Sequence, residues 1–107
     1  MSDSFNEREK GFEAKFKLDA EQSFKAEARR NRLLGEWLSE KFGMPESERA
    51  DYAKTVVMAD MDEPGVEDVI RKVMGDIAKH GVDISDADVR AKISELDAVA
   101  AQQIASE

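Results

Sequence analysis

The chain has 107 residues, of which 41% are apolar and 37% charged, with a net charge of −8; this suits one domain with a modest core and leaves no room for an elaborate catalytic cleft. The negative balance argues against nucleic acid or an anionic membrane as a general partner. With no cysteine and a single histidine, disulfide and thiol chemistry are excluded and the usual zinc ligand sets cannot be assembled.

No apolar run approaches the roughly 20 residues of a membrane span, and the polar N-terminus lacks the apolar stretch of a signal peptide. A cytoplasmic protein without direct membrane insertion is therefore expected. Charge is unevenly spread. Through Arg32 there are eight basic and seven acidic residues, whereas from Leu33 onward there are eight basic and seventeen acidic. The two parts present different electrostatic faces.

In chain order, residues 1–18 read as an N-terminal arm and residues 19–107 as a four-helix bundle. The arm carries Phe5, Phe12 and Phe16 at spacings of seven and four within a stretch of balanced charge. On a helix these rings form a stripe too narrow to bury itself, so it needs a cover. Ser4 and Glu7 are placed for a capping box, but a helix of about a dozen residues that contains Gly11 is marginal in water. A flexible or partly helical arm follows. Its cover is either the bundle or a groove in another protein that accepts an amphipathic helix.

Gly43-Met44-Pro45, Asp62-Glu63-Pro64-Gly65 and His80-Gly81 punctuate the rest, and no alternating run suggests a strand. The first bundle helix runs to about Phe42, with Phe24, Ala28, Leu34, Trp37, Leu38 and Phe42 on its core side. Within it, Gly35 costs about 1 kcal/mol relative to Ala, which points to close approach of a neighbour. The second helix begins near Pro45 and offers Tyr52, Val56 and Ala59 beside Ala53, Val57 and Met61. In the third, Val66, Val69, Ile70, Val73, Met74 and Ile77 share a face, and Gly81 suits a left-handed end. The fourth opens at Ser85-Asp86-Ala87-Asp88, close to a capping box, and continues with Val89, Ile93, Leu96, Ala100 and Ile104. Short connections between one-sided helices favour an all-α antiparallel bundle or a compact variant of one.

Helical phase bears on the cover of the arm. At about 100° per residue, Phe5, Phe12 and Phe16 fall within about 40° of one another, while Phe24 and Phe42 lie about 100° further round. One straight helix cannot aim both stripes at one core. Either the chain bends between Phe16 and Phe24, or the early stripe is left for a partner.

Few residues suggest chemistry. Asp60-Met61-Asp62-Glu63-Pro64-Gly65 begins like a calcium loop, but Pro64 stands fifth where an oxygen ligand is needed and Arg71 stands twelfth where a glutamate should close the site. Asp83 to Asp88 lacks the sixth-position glycine, so no metal site is expected. His80 precedes a helix-ending glycine, where an imidazolium would meet the terminal carbonyls. No nucleophile and base share a motif, and no catalytic residue is expected. Arg29-Arg30-Asn31-Arg32 is the densest positive patch; Arg29 and Arg32, three apart, can converge on an anion such as a phosphate, or can pair with the chain's own carboxylates.

Phe24-Lys25-Ala26-Glu27-Ala28-Arg29-Arg30-Asn31-Arg32-Leu33-Leu34-Gly35, Tyr52-Ala53-Lys54, Val57-Met58-Ala59-Asp60, the Glu63-Pro64-Gly65 turn and Gly81-Val82-Asp83-Ile84-Ser85 together resemble the zeta subunit family, inhibitors of the rotary F-type ATP synthase in alphaproteobacteria. The resemblance covers essentially the whole length, and Arg8 to Glu13 with Lys15-Phe16 look like the family's N-terminal segment. It implies a four-helix bundle and a non-catalytic inhibitor of ATP hydrolysis. Its N-terminal segment would enter the catalytic sector between the alpha and beta subunits, near gamma, and block rotation. The expected partner-binding residues are Phe5, Arg8, Glu9, Lys10, Phe12, Lys15 and Phe16. No cofactor is required, but the family is associated with ADP or ATP as a regulatory ligand; Arg29 and Arg32 are the physical candidates to hold it. The expected location is then the cytoplasm, peripheral to the inner membrane through the synthase. The competing expectation is an acidic helical module that binds protein or nucleotide without inhibiting anything.

Overall fold

The structure, a computed structural model, describes residues 18–62 and 65–107. The expected partner-binding residues Phe5, Arg8, Glu9, Lys10, Phe12, Lys15 and Phe16 lie outside the described residues, as do Glu63 and Pro64 of the acidic turn. The fold is all-α, with four compactly packed helices: α1 Ala20–Lys41, α2 Glu46–Asp62, α3 Val66–His80 and α4 Asp86–Ser106.

Local chemistry sets the helix limits. Asp19, extended at ψ 177°, caps α1: its carboxylate accepts from the Gln22 N–H at 2.8 Å, and the Gln22 side chain accepts from the Asp19 N–H at 3.2 Å. This reciprocal box satisfies two donors that helix geometry leaves unpaired. α1 ends before Gly43, which takes a left-handed φ of +72°, and the Met44 N–H turns back to the Ser39 carbonyl at 3.0 Å. Gly81 closes α3 at φ +68°, with its N–H donating to the Ile77 carbonyl at 2.9 Å; a side chain would strain that conformation. At α4 the Ser85 hydroxyl accepts from the Asp88 N–H at 3.1 Å, and Asp88 accepts from the Ser85 N–H at 3.0 Å. Aspartate thus serves in the place usually held by glutamate.

Leu34 and Leu38 of α1, Val56 of α2, Val69, Ile70, Val73 and Ile77 of α3, and Val89 and Ile93 of α4 form the core. Helix α1 is the hub, packing most extensively against α2 and α4, while α3 joins through α2 and, to a lesser degree, α4. Gly35 explains the α1–α2 contact. A Cβ there would stand 2.5 Å from Ala53 Cα and 3.2 Å from Val56 Cγ2, so only glycine permits this approach.

Two expected core residues lie outside. Phe24 is 61% exposed and Met61 57%. Both sit near helix ends, Phe24 in the second turn of α1 and Met61 beside the last residue of α2, where fewer neighbours surround the helix; the buried residues of α1 begin only at Arg30.

Candidate functional site

The four residues of the basic cluster are sent in different directions by α1. Arg29 reaches α4, where its guanidinium donates to Gln103 at 2.7 Å and pairs with Glu107 at 2.5 Å. Arg30 turns inward and is only 7% exposed. Its Nε and Nη2 donate to Asn31 Oδ1 at 3.1 and 2.9 Å, its Nη1 donates to Asp97 at 3.1 Å, and Nη2 lies 3.9 Å from Asp60. Asn31, 1% exposed, donates from Nδ2 to Asp60 at 2.9 Å, and the other Asp60 oxygen accepts from the Gly65 N–H at 3.2 Å.

The result is a polar knot that ties α1 to α2, to the start of α3 and to α4. A buried guanidinium is tolerable only with its charge matched and its donors used. Both conditions hold: two carboxylates face Arg30, and among the described residues no buried side-chain nitrogen or oxygen lacks a hydrogen-bond partner. Asp60, first residue of the acidic turn that begins like a calcium loop, is committed to this knot. Spacing alone could not single out Arg30, because its partners come from positions about thirty and about seventy residues away.

Arg29 and Arg32, the candidate anion ligands, do line one concave surface. Its volume is about 420 Å³, and Phe24, Lys25, Ala28, Val57, Ile104 and Glu107 complete its lining. Their states differ. Arg29 is engaged by Glu107 and Gln103, as the reading of pairing with the chain's own carboxylates anticipated. Arg32 is exposed and makes no hydrogen bond or ion pair among the described residues.

A second concave surface of about 440 Å³ surrounds Trp37, with Val82, Ile84 and Ala91 as further apolar lining. The ammonium groups of Lys92 and Lys41 stand 5.0 and 5.8 Å from the indole ring, within the range of cation–π attraction. Lys92 is also held by Glu95 at 2.7 Å.

At the far end of α3, the His80 ring stacks on Phe42 at 4.1 Å and 7° between planes, and Phe42 meets Tyr52 edge-on at 5.5 Å. His80 thus combines its place in the last turn of α3 with an aromatic contact that the sequence did not reveal. The Tyr52 hydroxyl donates to Asp76 at 2.7 Å, and Asp76 also receives Lys72 at 2.8 Å. Burial, and secondarily the bond and charge of Asp76, hold the Tyr52 phenol well above its ordinary pKa. At the opposite end Arg90 clamps Glu67 through two bonds of 2.8 Å and also donates to Asp86 at 2.6 Å. The Arg90 bonds hold the Glu67 carboxyl below the usual range.

No described helix is long and apolar enough to cross a membrane. The family model described as ATPase inhibitor subunit zeta matches residues 1–103, a span that takes in the N-terminal arm, the basic cluster and most of α4. No curated protein sequence matches the chain.

Proposed function

The chain belongs to the ATPase inhibitor subunit zeta family, a family of regulatory, non-catalytic proteins that act on the F-type ATP synthase, and we propose that it inhibits ATP hydrolysis by inserting its N-terminal arm at a catalytic interface. On this reading Phe5, Phe12 and Phe16 enter between the alpha and beta subunits, near gamma, and resist the motion that rotation requires. The observation that carries the reading is the family match itself, because it runs from residue 1 and so includes the arm.

The physical chemistry suits the role. Each phenylalanine gains about 1.5–3 kcal/mol when a groove takes it out of water, and ordering the arm returns much of that sum. Affinity then rests on all three rings together. Arg8, Lys10 and Lys15, with Glu9 of opposite sign, give the arm charges that can pair with the rims of the groove and fix its register. The compact bundle remains outside as a body that the inserted arm holds in place. Through the synthase the protein sits at the periphery of the inner membrane.

An adenine nucleotide acts, on the same reading, as a regulatory ligand. Its phosphates would meet Arg32, which has no partner among the described residues, first and would have to displace Glu107 to use Arg29. Titrating ADP into the protein should move the resonances of Arg29 and Arg32 before others; shifts confined elsewhere would remove both residues from that role.

Replacing Phe5, Phe12 and Phe16 together by Ala tests the inhibitory mechanism. Inhibition of the cognate synthase should disappear while the helix content of the bundle survives. A triple variant that still inhibits fully would leave the arm without its assigned part and would favour the bundle as a binding module of another kind.

A further inference from the structure

The concave surface beside Phe24 presents an unusual pair. Phe24 exposes 61% of its surface, and Arg32, two turns further along the same face of α1, has no partner among the described residues. Ala28, Val57 and Ile104 supply further apolar lining; Lys25 and Arg29 add cations along α1, and Glu107 stands on the α4 side. Such a surface fits an occupant with an apolar body and charged edges, at least one of them acidic.

The first seventeen residues of this chain have that form. At about 100° per residue, Glu9 and Glu13 fall along one edge of the stripe of Phe5, Phe12 and Phe16, and Arg8 and Lys15 fall along the other. The segment also ends in the right place, since it joins α1 through Leu18 and Asp19, just before the turn that bears Phe24. Two antiparallel helices joined by a loop of about three residues form an ordinary hairpin. Because both rise by about 1.5 Å per residue, pairing Phe16 with Phe24 brings Phe12 opposite Ala28 and Glu9 opposite Asn31, one residue from Arg32.

We propose that in the free protein residues 5–16 dock back on this surface, so that the stripe has two alternative covers and the docked arm is a parked form of the inhibitor. The docking stands on the surface and the charges; its consequence for inhibition rests on the function proposed above. An arm parked about nine-tenths of the time raises the concentration needed for inhibition about tenfold, since only the undocked fraction competes for the synthase.

Amide hydrogen exchange on the full-length protein tests this, with a synthetic peptide of residues 1–17 as the undocked reference. Amides from Phe5 to Phe16 should exchange about tenfold more slowly than in the peptide. Phe24→Glu or Arg32→Glu, both at exposed positions, should return them to the peptide rate without changing α2 and α3. Combining Arg32→Glu with Glu9→Arg should restore part of the protection. Exchange at the peptide rate in the parent, protection that neither variant alters, or protection that grows with protein concentration and so reports a second copy, would each overturn the docking. In a hydrolysis assay the two variants should inhibit at about tenfold lower concentration than the parent. A parent that shows protection yet never inhibits would refute the proposed function and leave the docking intact; a parent that inhibits with a freely exchanging arm would do the reverse.

Discussion

Gly35 and Gly75 both lie inside helices, α1 and α3, and Ala should act on them with opposite sign. Replacing an interior helical glycine by Ala is worth about 0.5–1 kcal/mol where space allows. Gly75 has nothing within 4 Å of an added Cβ, so Gly75→Ala should stabilise by that amount. At Gly35 the same Cβ would stand 2.5 Å from the backbone Cα of Ala53 and 3.0 Å from its Cβ. Carbon–carbon contacts rest at about 3.5–4.0 Å. Helices α1 and α2 would therefore have to separate by about 1 Å, and overpacking of this kind costs about 1–3 kcal/mol. Against the propensity gain, the net loss should be about 1–2 kcal/mol, or a fall in melting temperature of about 5–15 °C for a domain of this size. Thermal and urea melts followed by circular dichroism measure both variants against the parent. A Gly35→Ala protein as stable as the parent, or two variants that move in the same direction, would refute the close-packed α1–α2 contact.

Asp60→Ala should cost about 1–3 kcal/mol, because it strips an acceptor from the buried Asn31 amide and from the Gly65 N–H, whereas Arg32→Ala should stay within about 0.5 kcal/mol; urea denaturation midpoints compare the two. Tyr52 is the only tyrosine, so tyrosinate absorbance reports it alone. Its phenol is held above the ordinary value by burial and then by Asp76, so its contribution to stability is complete below about pH 10 and falls as pH rises beyond that value. The absorbance change should accompany alkaline unfolding, and titration at the ordinary tyrosine pKa in a still-folded chain would contradict it. Asp88 is held below the usual carboxylate range by the Ser85 N–H and hydroxyl, and Glu67 by Arg90. These contributions are present above about pH 4 and fade as pH falls through the depressed values; Ser85→Ala should flatten the acid limb of the stability curve.

Much of the fold is legible because its punctuation is local. Gly43, Gly65 and Gly81 mark the three connections and take positive φ in the structure, the α3 face repeats cleanly, and the cost of Gly35 announced a close neighbour. The misreadings share one cause. Periodicity gives the direction a residue faces but not whether another helix extends far enough to cover it, so Phe24 and Met61 read as core residues yet lie exposed. Arg29, Arg30 and Arg32 look alike in sequence; their different fates are set by Gln103, Glu107, Asp60 and Asp97, residues that only the tertiary fold brings near.

The assigned role of the arm is tested most directly by ATP hydrolysis of the purified cognate synthase, titrated with the parent chain and with the Phe5→Ala, Phe12→Ala, Phe16→Ala variant. The parent should suppress hydrolysis and the variant, with the four bundle helices intact, should leave the rate at that of the synthase alone. Suppression by both at the same concentration would contradict insertion of the phenylalanine stripe.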